Sequence, residues 1–204
     1  DITQKDGNKD HIEGVASIGA ISSRIGLEGP TPWEGGSWFI SGRRTYFDLV
    51  KQFIPEDPES PIPDFGFYDV NAKISQDIGL NDKISVSGFL SKDNLEFSSF
   101  GLNMNLSIGN NLLTSKWTHI FGSNLFSTVV GSYSKYFNNF DGDHSGYEFL
   151  FENSISDLTL KGELEWFDSD KFTAKFGFET SKYEFKYLQN FTGNTDSTQQ
   201  GSSG

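Results

Sequence analysis

Of the features that usually announce a fold, this sequence has few. It contains no cysteine and a single methionine in 204 residues, so a disulfide framework and a thiolate metal site are both excluded. Long apolar runs are also missing. Nothing approaches the roughly 20 consecutive residues that a spanning helix needs, and mean hydropathy is -0.45, which excludes a helical membrane protein. Positive charge is scarce, with 16 Lys and Arg against 28 Asp and Glu and a formal charge of -12. Phosphate binding wants a basic stripe, and without one nucleic acid is excluded as a partner. No stretch repeats its apolar residues with the 3.6 period of an amphipathic helix.

What the chain does have is aromatic residues and glycine: 15% Phe, Trp and Tyr, with 20 Phe and 22 Gly. That composition suits sheets. Strand-like alternation follows. Leu158, Leu160, Gly162, Leu164 and Trp166 share one face against Thr159, Lys161, Glu163 and Glu165. Tyr68, Val70, Ala72 and Ile74 alternate with Asp69, Asn71, Lys73 and Ser75. Ile84, Val86, Gly88 and Leu90 alternate with serines, Phe89 alone breaking the pattern. Leu125, Val129, Gly131, Tyr133 and Phe137 share a face against Thr128, Ser132 and Ser134. Phe172, Ala174, Phe176 and Phe178 form a last stripe, after which the aromatics Tyr183, Phe185 and Tyr187 become odd-numbered; a bulge or an exit from the apolar layer lies between.

With no helix between strands, the sheet is antiparallel and the connections are hairpins. Short turns are expected at 28–37, 79–82, 122–124 and 168–170, and long polar loops at 51–65, 91–103 and 138–146. The two kinds alternate, so an up-and-down meander gathers all short turns at one end and all long loops at the other. Transmembrane barrels have that asymmetry, and their strands of about 10 residues leave mean hydropathy looking soluble. A soluble sandwich turns the same apolar stripe inward. Loop order and strands of about 11 to 18 residues, against a usual 5 or 6, place lipid on the apolar face. The expected fold is all-β: an antiparallel up-and-down meander of about eight or nine strands, forming a portion of a transmembrane β-barrel. Arg43 and Arg44 are adjacent, so one of them faces lipid and belongs near an interface.

Three stretches carry a resemblance: "DITQKDGN" (1–8), "GVASIGAISSRIGLEGP" (14–30) and "GSWFISGRRTYFDLV" (36–50). Together they resemble the plug-to-barrel junction of TonB-dependent outer-membrane receptors, in particular the Bacteroidetes-type branch. In that branch a D-I-x-x-K-x-G-N stretch closes the plug, S-x-G-x-x-S-S-R-x-x-x-E-G-P begins the barrel, and S-G-R-R-T-Y-x-D-L follows. "FYDVNAKIS" (67–75), "KWTHIF" (116–121) and "SYSKY" (132–136) are similar to early barrel strands of that family. The resemblance implies 1–13 as the end of a plug domain, 14–190 as N-terminal strands of a transmembrane barrel, and 191–204 as an extracellular loop or linker. It implies a bacterial outer-membrane location and energy-coupled nutrient uptake. The partners implied are the lipid bilayer, the plug and remaining barrel strands, TonB and a surface lipoprotein. Family members have a longer plug and about 22 strands, so the stretch reads as a fragment, and it opens without an initiator Met or signal peptide. Whether 14–27 is one strand or two joined near Gly19 and Ala20 is left open by the sequence.

Catalytic constellations are weak. His11, His119 and His144 are scattered without metal-ligand spacing. "DGDH" (141–144) reads as a solvated loop lacking the later ligands of a calcium loop. Glu163 and Glu165 share a face in the manner of a glycosidase pair, but Lys161 beside them reads as a charge ladder. No enzyme, cofactor or metal is expected, and the substrate contacts are unknown. The alternatives are a soluble β-sandwich or barrel module that stacks Trp33 and Trp38 on carbohydrate, or one piece of a multi-chain assembly.

Overall fold

The computed structural model describes residues 4–55, 62–169 and 172–193. Nine strands pair in chain order into one antiparallel sheet: β1 (Glu13–Ile18), β2 (Ser22–Pro30), β3 (Gly36–Thr45), β4 (Asp64–Ile78), β5 (Asp82–Ser99), β6 (Leu102–Ile120), β7 (Leu125–His144), β8 (Tyr147–Ser169) and β9 (Phe172–Gly193). A single helical turn, α1 (Phe47–Lys51), interrupts the connection from β3 to β4. The all-β up-and-down meander is as expected. Residues 14–27 form two strands, because the chain reverses at Gly19, whose N–H donates to Ser22 at 2.8 Å.

The register fixes which side chains share a face. Trp38, Ile74, Val86, Ser115, Gly131 and Leu160 lie directly opposite one another from strand to strand. With them on the same face run Ile25, Leu27, Ile40, Val70, Ala72, Ile84, Leu90, Leu113, Val129, Leu158 and Leu164. Among the described residues no apolar side chain is buried. A soluble sandwich needs a second layer over this face, and the described residues supply none.

The apolar stripe is also tilted. Trp166 lies six residues past Leu160, the position directly across from Trp38 five strands away. Six steps of about 3.3 Å over five spacings of about 4.8 Å is a slope of about 40°, the strand tilt of a barrel. Along β7 the band runs from Leu125 to Tyr133, about 27 Å of strand, or about 20 Å of height at that tilt. Trp38 and Trp166 mark one rim and Tyr68 and Tyr133 the other, with Trp117 inside the first.

Two expectations are corrected. The polar stretches 91–103 and 138–146 are not loops. β5 and β6 run on past the apolar band to a turn at Phe100 and Gly101, and β7 and β8 to a turn at Ser145 and Gly146. All four turn residues have positive φ (50°, 75°, 52° and 82°), the two-residue geometry whose twist matches the strands it joins. Hairpin pairing satisfies the backbone of these polar stretches, so their polarity does not make them irregular loops. The asymmetry between ends is therefore one of strand extension. The parity change in β9 is an exit from the apolar layer, since pairing with β8 is regular throughout 173–193; the one irregularity is at Phe167 and Ser169. β9 continues to Gly193, so 191–193 are strand, while 194–204 and the expected turn residue Asp170 lie outside the described residues.

Candidate functional site

The face opposite the apolar band is polar, and residues 4–9 lie across it as a strap. Lys5 pairs with Glu28 of β2 (2.5 Å) and Lys9 with Asp77 of β4 (2.5 Å). Between them Asp6 accepts from Lys73 (2.6 Å), Lys83 (2.7 Å) and Ser75 (3.0 Å). Gln4 donates to Asn71 at 3.2 Å and accepts from Lys73 through its carbonyl at 2.9 Å. Beneath the strap Ser37 and Ser75 are each 1% exposed. Gly7 is required by close approach: a Cβ there would sit 2.0 Å from the Trp38 carbonyl oxygen. Burial pushes the Asp6 carboxyl up, yet the hydrogen bonds from Lys73, Lys83 and Ser75, with the charge of Lys83, outweigh it. They hold the group well below the usual carboxylate range.

Beside the strap the same face opens into a polar hollow of about 390 Å³, lined in part by Thr114, Lys116, Thr128, Lys161, Glu163 and Glu165. Lys175 bonds Glu165 at 2.5 Å and stands 4.0 Å from Glu163, which Lys161 approaches at 3.8 Å. The two carboxylates are thus rungs of a ladder of alternating charge, as the sequence suggests, and what the lining offers is water-facing charge of both signs. Such a surface accommodates a hydrated solute or a packed polar domain.

Beyond the apolar band the sides exchange character. The inner face now carries Phe140 of β7, Phe149 and Phe151 of β8 and Phe191 of β9, with ring centroids 5.2 to 6.3 Å apart. Phe65 and Phe67 pair at 5.9 Å on β4, with the Arg43 guanidinium 4.7 Å over the Phe67 ring and 2.7 Å from Asp69. The sequence reading missed this cluster. Its signal was available in the parity change, which occurs on β5, β6 and β8 as well as on β9.

The other candidate residues stay apart. His11 contacts Glu13 at 2.7 Å near the strap, His119 contacts Asp82 at 2.7 Å at the short-turn rim, and His144 ends β7. Among the described residues no group of three potential metal ligands occurs. Asp141 and Asp143 face outward near the tip of β7 and accept from Asn105 and Asn103, both at 3.0 Å. Trp33 is 67% exposed in the turn before β3, whereas Trp38 lies on the apolar face with its indole N–H on the Pro30 carbonyl at 3.0 Å. Arg44 stands on the outer face opposite Tyr68, at the rim, and Arg43 on the inner face.

No protein-family model and no curated protein matches the chain. A crystal structure of the ferric yersiniabactin uptake receptor FyuA from Yersinia pestis does match, with 92% of this chain covering 36% of that one at a TM-score of 0.53 and 10% sequence identity. The chain therefore spans about a third of the length of that receptor. At that identity the likeness is one of fold, and the chain is a receptor-like, barrel-forming run of antiparallel strands.

Proposed function

We propose that this chain is the end of a plug (residues 1–13) and the first strands of the barrel (residues 14–190, with β9 extended to 193) of a TonB-dependent outer-membrane importer. Residues 194–204 would continue into an outside loop or linker. The observation that carries the reading is the division of faces. A tilted apolar band with aromatic rims covers one side, and a charged strap lies on the other, as a barrel wall between lipid and a filled lumen requires. The receptor likeness supports the transport class, and the junction motifs support the Bacteroidetes-type branch. On this reading the long hairpins stand outside the cell and their aromatic inner face meets the incoming nutrient. The polar hollow belongs to the lumen, and the protein works by binding and passage, not by catalysis. TonB, reaching the plug from the periplasm, and a surface lipoprotein are the partners the family pattern implies.

These 204 residues contain no cysteine, so once any cysteine elsewhere in the polypeptide is replaced, single cysteines report cleanly. Placed at Leu160, Lys161, Leu164 and Glu165 of the full-length polypeptide in liposomes, they test the faces directly with an impermeant thiol reagent. Lys161 and Glu165 should label, and spin labels at the leucines should sense lipid. A water-soluble monomer, stable without detergent, would overturn the reading.

A further inference from the structure

The hairpins that rise past the apolar band are two-sided in the reverse sense of the band. Their outer side carries Asn103, Asn105, Asp141, Asp143 and Glu148, while their inner side is apolar row by row. Phe97, Met104, Gly142, Phe149 and Phe191 lie directly opposite one another from β5 to β9. Leu95, Leu106, Phe140, Phe151 and Gln189 form the next row toward the band. Gly142 has no side chain to lift the Phe149 ring: a Cβ there would sit 2.5 Å from it, so the ring lies down on the sheet. Gln189, the polar member, already accepts from Tyr187 at 2.6 Å. Each row crosses four strand spacings of about 4.8 Å, or about 19 Å. Apolar surface of this extent, turned to the barrel axis and with Phe191 still 63% exposed, wants an apolar partner.

Charge narrows what that partner is. Arg43 is held by Asp69 at 2.7 Å. Beyond it, among the described residues, no Lys or Arg stands on the inner parity of these hairpins, whereas Asp93 and Asp157 do. An anion entering here loses water and finds only apolar surface and carboxylates. A polyhydroxylated solute fares little better, since the two tip rows offer its hydroxyls almost nothing to bond. Resting on the barrel-wall reading and deepening it, we infer that this wall takes the apolar part of a neutral or cationic amphiphile, the chemistry of an oligopeptide rich in Phe and Leu. Its apolar groups settle on the Phe149 and Phe151 rows, and a cationic group finds Asp93 in the row that follows, opposite Ile108. The charged hollow lies below.

The test titrates blocked hexapeptides into the full-length polypeptide in phosphatidylcholine nanodiscs, by calorimetry. Three peptides share the same Phe and Leu residues and carry one Lys, Gln or Glu; a fourth keeps the Lys and replaces every apolar residue by Ser. Heat-modifiable migration reports insertion separately. The Lys and Gln forms should bind at least about tenfold more tightly than the Glu or Ser forms. Phe191→Gln, at an exposed ring position, should weaken both by about three- to tenfold. Asn153→Lys, in the row of Asp93 and Ile108, should weaken the Lys form and strengthen the Glu form, each by up to about fivefold, and leave the Gln form unmoved. Equal binding of all four peptides by inserted protein, or tightest binding of the Glu form, would overturn the inference and leave the barrel reading standing. So would no binding at all, the result expected if other segments of the polypeptide or a partner protein cover the wall. Failure to insert would overturn both.

Discussion

Arginine placed at Val129 should report directly on what covers the apolar face. Val129 lies midway between Leu125 and Tyr133 on β7, on the outer parity, between Trp117 of β6 and Gly162 of β8. Four residues to either end of the band is about 13 Å of strand, or about 10 Å of height at a tilt near 40°. A guanidinium there sits close to the bilayer midplane, where arginine on a barrel's lipid face costs about 2 to 4 kcal/mol. The same change at Tyr133 reaches the rim and costs only about 0 to 1 kcal/mol in charge placement. Thr128→Arg, one residue away, turns to the hollow opposite Glu163, where a cross-strand pair of opposite charge contributes about 0.2 to 1 kcal/mol.

The assay is reversible urea unfolding of the full-length polypeptide from phosphatidylcholine vesicles, followed by tryptophan fluorescence. The expected order of destabilisation is Val129→Arg well above Tyr133→Arg, with Thr128→Arg near the natural protein. In a soluble core the depth along β7 has no bilayer to refer to, so 129 and 133 would cost alike. That equality, or a larger loss at 128 than at 129, would refute the assignment of faces.

Other expectations follow from the strap and the hairpins. Asp6→Asn removes the anion shared by Lys73 and Lys83, so hydrogen exchange in residues 4–9 should accelerate while the β4–β8 band stays protected. Because the folded Asp6 carboxyl lies below its unfolded value near 3.9, its contribution is full above that value and is lost only as pH falls through the lower, folded one. Protection of the strap, corrected for the intrinsic pH dependence of amide exchange, should therefore be unchanged between pH 7 and pH 5; release in that interval would contradict the ion-pair geometry. Gly7→Val, whose Cβ would collide with the Trp38 carbonyl, should free the strap as Asp6→Asn does, and an unchanged exchange pattern would refute the close approach. Gly101→Val, at φ 75°, should destabilise by about 1 to 2 kcal/mol in the same urea assay, through the β5–β6 turn alone. Phe151→Ala deletes three ring contacts, and should raise exchange at the β7–β8 tip while leaving the band untouched.

The band was legible in the sequence because period 2 survives in single residues. Leu158 to Trp166 or Tyr68 to Ile74 can be read without knowing any partner strand. The short turns were legible through Gly, Asn and Asp. The outer hairpins were misread because their apolar residues are sparse and stand on the opposite parity from the band, so the polar segments 91–103 and 138–146 look like loops. What sets them as strands is pairing, a property of two segments together, and the positive φ at Phe100 and Ser145 is not what those residue types advertise. The strap was legible only through the resemblance carried by "DITQKDGN" (1–8). That Asp6 meets Lys73 and Lys83 depends on separations of 67 and 77 residues, which no local pattern encodes.

The edges of the sheet give the last constraint. β1 and β9 each pair on one side only, and β1 has six residues where β9 has 22. In lipid an unpaired edge leaves backbone N–H and C=O groups without partners at several kcal/mol each, so neither edge is tolerable as it stands. Closing β1 onto β9 within one chain, or pairing β1 of one copy with β9 of another, would satisfy only six residues of the longer strand and leave Ala174 to Phe178 or the hairpin end bare. On the proposed barrel-wall reading, further strands flank both edges, and the one beside β9 is itself about as long as β9. A receptor of which this run of strands is about a third supplies such neighbours within one polypeptide. Purification of the native protein should accordingly yield one polypeptide far longer than 204 residues. Recovery of a ring of separate 204-residue subunits would instead require β1 to lengthen on assembly.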